Sequence, residues 1–460
     1  MGPPGPTGAT GATGPAGPAG PAGEDGAGTP VYIAETPPVG AEDNALWWES
    51  DTGQLYVRYN DGNSTQWVIA SPQPDTTLFV QRTGDTMTGP LVLPAPAPTL
   101  ATHASNKAYV DATAKTYSGK NYIINGAMMV SQENGTTAGG QVNFYPVDAF
   151  TIFYIFGGTV SAAQVASRTP SGSPNRLRVT VTAADAAVAT TDALRIQTTI
   201  EGLRSADLGG GTANARTVTI QFGVKAPSGT YCVAIWNGQN TRSYVAEYTI
   251  ASGEANTDVI KSVTLTLDTT TPWPTDNTAG FSVLWVLMAG SIYQAAPNTW
   301  VANAMLGTSN QFNFMGTAGN VFELFDVSLT EGTVAPPFRV PDYADELAAC
   351  QRYWQKSYNY VNPPGTAIGT GVFGVSSVAG AEAYFGVSAT FPIRMRATPT
   401  VILWDGAGTA ARIGYRVATV WANGGTHVAT TVSESNLVVV ANNIANCTGI
   451  AFHYTANARL

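Results

Sequence analysis

Apolar and polar side chains alternate with a period of two along much of the middle of the chain. In Thr217–Lys225, Val218, Ile220, Phe222 and Val224 fall on one side, and Thr217, Thr219, Gln221, Gly223 and Lys225 on the other. Such a segment predicts a strand with one buried and one solvated face, as in antiparallel sandwiches. Related patterns run through Arg176–Thr182, Thr230–Asn237, Tyr244–Ile250, Ile260–Leu267 and Phe281–Met288, and Val321–Leu329 closes the series. Residues 120–341 are therefore read as one large jelly-roll-like β-sandwich.

The same alternation returns in Tyr384–Phe391, Thr400–Trp404, Arg412–Val420, His427–Val432, Leu437–Ala441 and Gly449–Tyr454. It predicts a second, smaller sandwich over 358–460. Between the two, Leu347, Cys350, Gln351 and Trp354 recur at helical spacing, so 342–357 is expected to be a linking helix over Ala344–Lys356. Cys350 then reads as a small apolar residue between Leu347 and Trp354 rather than a reactive thiol. Nearer the start, Leu46–Trp48, Leu55–Tyr59 and Gln66–Ile69 predict three short strands within 29–72. Asp51-Thr52-Gly53 and Asp61-Gly62-Asn63 supply the turns between them. Such a meander is too small to be stable singly, and three copies around an axis would complete it. Over 73–119 the pattern gives a proline-ended strand, TMTGPLVL, and a short helix from Thr102 to Lys115.

The first 28 residues follow another rule. Glycine stands at Gly2, Gly5, Gly8, Gly11, Gly14, Gly17, Gly20, Gly23 and Gly26, with proline frequent at the following position. This is the repeat of a collagen triple helix, in which three polyproline-type strands leave no room for a side chain at their shared axis. The run predicts a homotrimer through these glycines and a rod about 75 Å long at ~3 Å per residue. The expected fold class is thus all-β with an N-terminal collagen-like triple helix, a small β meander, a short helical shaft, the large sandwich and a C-terminal β knob.

Composition narrows the partners. Hydrophobic residues make up 44% and charged residues 12% of the 460, with a net charge of −9. Lys and Arg are scattered without a stripe, which argues against nucleic-acid binding. The longest apolar runs, Phe150–Val160 and Phe281–Ala289, fall short of the ~20 residues of a membrane span, and no charged-then-apolar signal peptide opens the chain. Cys232, Cys350 and Cys447 are odd in number and far apart, so they read as buried thiols or one inter-chain bridge, without a disulfide framework.

Several stretches resemble fibre proteins of tailed bacteriophages. LWWESDTGQLYVRYNDGNSTQWV is similar to a small module found in phage tail and fibre proteins, often beside collagen-like runs. Gly84–Leu91 followed by Ala104–Asp111 resembles the short repeat of fibre shafts. NYIINGAM, ARTVTIQFGVKAPSGTY, NTRSYVAEY, DNTAGFSVLW and VFELFDVSLTEG resemble a recurring tail-fibre domain, itself similar to carbohydrate-binding sandwiches. Pro337-Phe338-Arg339 with Asp345–Trp354 is the most specific marker, and Phe391–Ala397 with Pro399-Thr400-Val401 resembles the first strand of a fibre knob. The resemblance covers about Val31 to Ser357 and is less specific beyond Val401. It implies a virion fibre, on tail or neck, that binds other virion proteins at its N-terminal end. Its knob would bind host cell-surface polysaccharide or protein. Resembling fibres begin with an anchoring domain, whereas here the collagen-like run starts at Gly2. An accessory neck or collar fibre that binds a virion partner is therefore the alternative.

Catalytic chemistry finds little support. His103, His427 and His453 form no HExxH or His-x-His pattern, and no metal or cofactor is expected. Gly369–Gly374 spells GxGxxG but lacks the strand and helix a dinucleotide site needs. A polysaccharide-degrading fibre would need two positioned carboxylates, and no repeat of about 20–25 residues builds the β-helix such fibres use. No catalytic residue is assigned, and the chain is expected not to be an enzyme. Glycan binding instead uses exposed aromatics beside amides. The candidates are Trp404, Tyr415, Trp421, Asn423 and His427, with Asp405 and Arg416 adjacent; the alternative for each aromatic is the sandwich core or a trimer seam. Trp421 leads, because Ala422-Asn423-Gly424-Gly425 places it beside a flexible turn.

Overall fold

The computed structural model describes residues 2, 3, 5–18, 20, 28–70, 119–376, 382–426 and 428–460. The chain divides into two compact units, Met1–Leu93 and Pro94–Leu460. The expected shaft strand and helix, Gly23, Gly26 and His427 lie outside the described residues.

In the first unit the three expected strands are present, with a fourth ahead of them. β1 (Val31–Ala34) pairs parallel to β2 (Leu46–Glu49), followed by the antiparallel β3 (Gln54–Asn60) and β4 (Thr65–Ile69). Gly53 and Gly62 take positive φ (71° and 88°) in the two turns. At the second turn Asp61 Oδ1 accepts from the backbone N–H groups of Asn63 (2.9 Å) and Ser64 (2.7 Å). Trp47 is buried, stacks on Tyr56 at 4.7 Å and donates Nε1–H to the Ala34 carbonyl. The register puts Val31, Ile33, Leu46, Trp48, Leu55, Val57 and Val68 on the opposite face. Val31, Ile33, Trp48 and Val68 are exposed there.

Among its described residues the second unit is all-β apart from short 3-10 turns, one α-helical turn at Gly202–Ser205 and one longer helix. Its sandwich runs through β5 (Phe144–Val147), β6 (Phe150–Ile155), β7 (Thr159–Ala166), β8 (Asn175–Ala183), β9 (Ala193–Glu201), β10 (Thr217–Lys225), β11 (Gly229–Asn237), β12 (Arg242–Ile250), β13 (Val259–Thr266), β14 (Ala279–Ala289), β15 (Trp300–Ala302) and β16 (Val321–Glu331). A five-stranded sheet, β13-β10-β16-β8-β7, faces a seven-stranded one, β15-β12-β11-β14-β9-β6-β5. Val218, Ile220, Phe222 and Val224 are fully buried between them. Trp285 sits in the same core, 6.0 Å from Phe150 and 5.8 Å from Phe222 between ring centroids. The other face of β10 is drier than its alternation implies. Thr219 is buried, and its Oγ1–H donates to the Gly332 carbonyl of the segment that crosses the sheet after β16.

NYIINGAM explains itself structurally. Asn125 is buried at positive φ, donates Nδ2–H to the carbonyls of Val130 and Asp148 (2.8 Å each) and accepts from Val130 N–H. A Cβ on Gly126 would stand 2.0 Å from the Val327 carbonyl oxygen, so only glycine fits against β16.

The linking helix is shorter than its spacing predicts. α1 (Tyr343–Gln351) is capped by Asp342 and ends three residues before Trp354, which opens β17 (Trp354–Lys356). Cys350 packs with Ile124, Val130 and Leu347. Cys232, Cys350 and Cys447 are all buried and unpaired in this chain.

The remaining strands are β18 (Phe373–Ser376), β19 (Glu382–Thr390), β20 (Thr400–Trp404), β21 (Arg412–Val417), β22 (Val420–Thr426), β23 (Thr431–Val432) and β24 (Asn436–Asn457). Apart from β22, which pairs with β21, all of them and β17 pair with β24, a 22-residue spine. The alternation suggests two strands here; the structure has one. A register shift inserts Thr448, and the buried parity changes from Leu437, Val439 and Cys447 to Ile450, Phe452 and Tyr454. A bulge bends the strand without ending it. Trp354, the first residue of β17, pairs with Asn457, the last of β24.

This C-terminal sheet is docked firmly on the sandwich. Glu201, buried at the end of β9, accepts from Arg352 Nη2–H (2.6 Å), Arg352 Nε–H (3.0 Å) and Tyr353 O–H (2.6 Å). Arg459 pairs with Glu133 (2.5 Å) and lies 3.8 Å above the Tyr145 ring.

Candidate functional site

The β21–β22 hairpin sorts the sequence candidates. Its register pairs Arg416 with Trp421, Tyr415 with Ala422 and Gly414 with Asn423. Residues two apart share a face of a strand, so Trp421 and Asn423 stand together, in line with Arg416, while Tyr415 points the other way. Tyr415 packs against the core of this sheet. Gly424 makes room for it, since a Cβ there would lie 3.1 Å from the Tyr415 ring.

The glycine-rich stretch beside Trp421 is therefore strand, and the expected turn is misplaced. The chain reverses instead at Ala418 and Thr419, ahead of Trp421. Ala418 has φ 52°, and Thr448 Oγ1–H donates to its carbonyl at 3.1 Å.

Across the sheet the outer row reads Trp421, Arg416, Gly449, Ser376, and the next Asn423, Gly414, Ala451, Gly374. Beyond Trp421, Arg416 and Asn423 the side chains are small or absent. A Cβ on Gly449 would meet the Val375 carbonyl oxygen at 2.7 Å, and one on Gly374 the Ile450 oxygen at 3.0 Å. Trp421 is 49% exposed. Asn423 is exposed, with its side-chain oxygen leaning over Gly414 and no hydrogen-bond partner among the described residues. Arg416 Nε is buried without an acceptor. The patch thus offers an aromatic face, an unpaired amide and a cation on one side of a sheet, a set suited to the C–H faces and hydroxyls of a sugar.

Trp404 takes the structural alternative. It pairs with His453 across β20 and β24, and its ring backs onto Gly365. The buried Asp405 next to it staples a turn by accepting from Ala407 N–H (3.0 Å) and Thr409 N–H (2.9 Å). His453 is buried and stacked on Tyr358 at 3.7 Å. Its Nε2 faces the Ile368 carbonyl (2.9 Å) and its Nδ1 the Ser357 hydroxyl (3.1 Å); burial holds its pKa below the ordinary histidine value, against the pull of the Ile368 carbonyl. The Gly369–Gly374 stretch enters β18 and not a helix. Among the described residues no three His, Cys, Asp or Glu side chains gather as a metal site. No helix among them is long and apolar enough to cross a membrane.

No family model matches the sequence, and no curated protein matches it. Solved structures give shallow, partial likenesses. The enzymatically active domain of bacteriophage CBA120 tailspike protein 4 superposes with a TM-score of 0.26 at 10% identity over 46% of this chain, which spans 21% of that protein's length. The family 11 carbohydrate-binding module of a Clostridium thermocellum cellulosomal cellulase gives a TM-score of 0.22 at 12% identity, covering 42% of this chain and 95% of the module. The CBM22-1 xylan-binding domain from Paenibacillus barcinonensis Xyn10C gives 0.23 at 12% identity, covering 47% and 97%.

Proposed function

We propose that this chain is one of three in a homotrimeric phage virion fibre, and that its C-terminal β unit attaches the fibre to a host surface glycan. One observation carries the reading. A Cβ on Gly2, Gly5, Gly8, Gly11, Gly14, Gly17 or Gly20 would meet nothing within 4 Å in the single chain. None of these glycines has a positive φ. Neither local backbone nor intrachain crowding requires glycine there, so the three-residue period answers to other chains packed at a common axis. The exposed apolar face of the β1–β4 sheet supports the same reading, because two further copies would cover it.

Adhesion then rests on Trp421, Asn423 and Arg416, presented three times; linked weak sites gain avidity without new contacts. Sedimentation equilibrium of the full-length protein tests the assembly, and the expected mass is three chains; a single-chain mass overturns it. Trp421→Ala tests the adhesion. Host-cell adsorption should fall while the trimer mass stays, and unchanged adsorption removes the site.

A further inference from the structure

The outer face of the seven-stranded sheet carries an arginine whose surroundings do not account for it. Arg195 on β9 lies between two rings, with its guanidinium carbon 4.0 Å from the Phe153 centroid and 4.7 Å from that of Trp236. Its one hydrogen bond among the described residues runs from Nε–H to Gln197 Oε1 (3.1 Å). Four other half-buried or buried arginines have anions or carbonyls: Arg176 holds Asp258 and Glu323, Arg242 holds Asp268, Arg352 holds Glu201, and Arg204 donates to the carbonyls of Tyr122 and Asn121. For Arg195 no carboxylate lies within ion-pair reach among the described residues. Burial pulls its pKa down to about 10, and the one other ionisable group acting on it is Tyr293. The fold thus holds a half-buried guanidinium clamped between two rings, with no acceptor for its Nη donors among the described residues, an arrangement matched to a planar oxyanion.

The neighbours specify what carries that anion. Gln197 and Thr199 follow Arg195 at two-residue steps, ~6.8 Å apart along the same face, and Thr151 stands beside Gln197 on β6. All three are half-buried and end in amide or hydroxyl groups. Thr151, Gln197 and Thr199 also line a cleft with Arg204, Arg459 and Tyr353, to which the row leads from Arg195; Gln197 Nε2–H donates to Thr199 Oγ1 (3.2 Å), and Thr151 Oγ1–H to the Phe144 carbonyl (3.3 Å), bonds that a ligand would share or replace. Along this row Arg195 is the one cation, and a guanidinium beside neutral hydrogen-bonding groups suits a planar carboxylate on a polyhydroxylated body.

We propose that Arg195, Gln197, Thr199 and Thr151 form a second saccharide subsite, selective for a sugar that bears a carboxylate. The saccharide class rests on the adhesion reading above; the demand for an oxyanion rests on Arg195 alone. The full-length protein is titrated with trigalacturonate, 3′-sialyllactose, the methyl ester of each, and inorganic phosphate. Calorimetry gives the affinity, and quenching of tryptophan fluorescence reports the Trp236 side of the site. At least one acid should bind ~10-fold more tightly than its ester, with affinity falling as salt is added. Arg195→Gln should abolish that preference, and Arg195→Lys, which keeps charge and stem but loses the fork, should weaken it several-fold. Equal binding of acid and ester, binding unchanged in both variants, no binding of either acid, or binding of phosphate alone overturns the subsite. Trp421→Ala should leave the acid preference intact. If Trp421→Ala fails to reduce adsorption while that preference persists, the knob site falls and this one stands.

Discussion

The sandwich and the C-terminal sheet close their cores by different means. In the sandwich two sheets meet face to face, and large side chains such as Trp285, Phe222 and Phe150 fill the gap. In the C-terminal unit one strand, β24, serves as spine for its neighbours, and its core side holds Ile450, Phe452 and Tyr454. The opposite side of that spine carries Gly449 and Ala451, so Trp421 stands proud of its surroundings. The contrast teaches where a large aromatic signifies stability and where it signifies contact. Enclosed between two sheets it is a packing element; on the open side of one sheet about half of it stays available for contact.

The widest test of that contrast compares two tryptophans. Trp285→Ala should cost about 3–5 kcal/mol of stability through the cavity it leaves, read as a large loss in denaturant midpoint. A cost below about 1 kcal/mol would mean that the core is not the compact one described. The junction comes next. Glu201→Gln removes the charge that buries Arg352 and Tyr353 against the sandwich and should cost about 2–3 kcal/mol. Calorimetry should then resolve two transitions where one coupled transition is expected of the parent protein; a single unshifted transition would contradict the coupling.

Acid should separate the regions further. His453 is held neutral in the folded C-terminal sheet, with its pKa below the ordinary value, so below about pH 6.5 the unfolded chain binds a proton that the folded chain does not. Stability therefore falls as pH drops through that range and is retained above it. The C-terminal unit should melt earlier at pH 5 than at pH 7, and His453→Gln should flatten that dependence. The smallest effect belongs to Trp421→Ala, whose stability change should stay within about 0.5 kcal/mol even as adsorption is lost.

Alternation was most informative where both partners of a strand are regular. Val218, Ile220, Phe222 and Val224 could be placed in the core from spacing alone, because their neighbours impose no register shift on that side. It misled at β24, where the bulge at Thr448 reverses parity and one strand reads as two. β1 escaped notice because its parallel pairing with β2 leaves no local turn signal. In the site, a two-residue spacing was enough to join Trp421 and Asn423, but not to show that Tyr415 turns inward or that Trp404 backs a loop. Glycines at 424 and 425 suggested a turn; Gly424 instead relieves a ring packed against it. Arg195 has no motif, since the absence of a neighbouring anion is a property of folded space.

The pairing of Trp354 with Asn457 brings the two boundaries of the C-terminal unit side by side on the sandwich. A segment whose ends meet in this way can be excised and exchanged as a cassette, with one splice point serving both cuts. Recombination at that seam would replace the C-terminal sheet while leaving the sandwich unchanged.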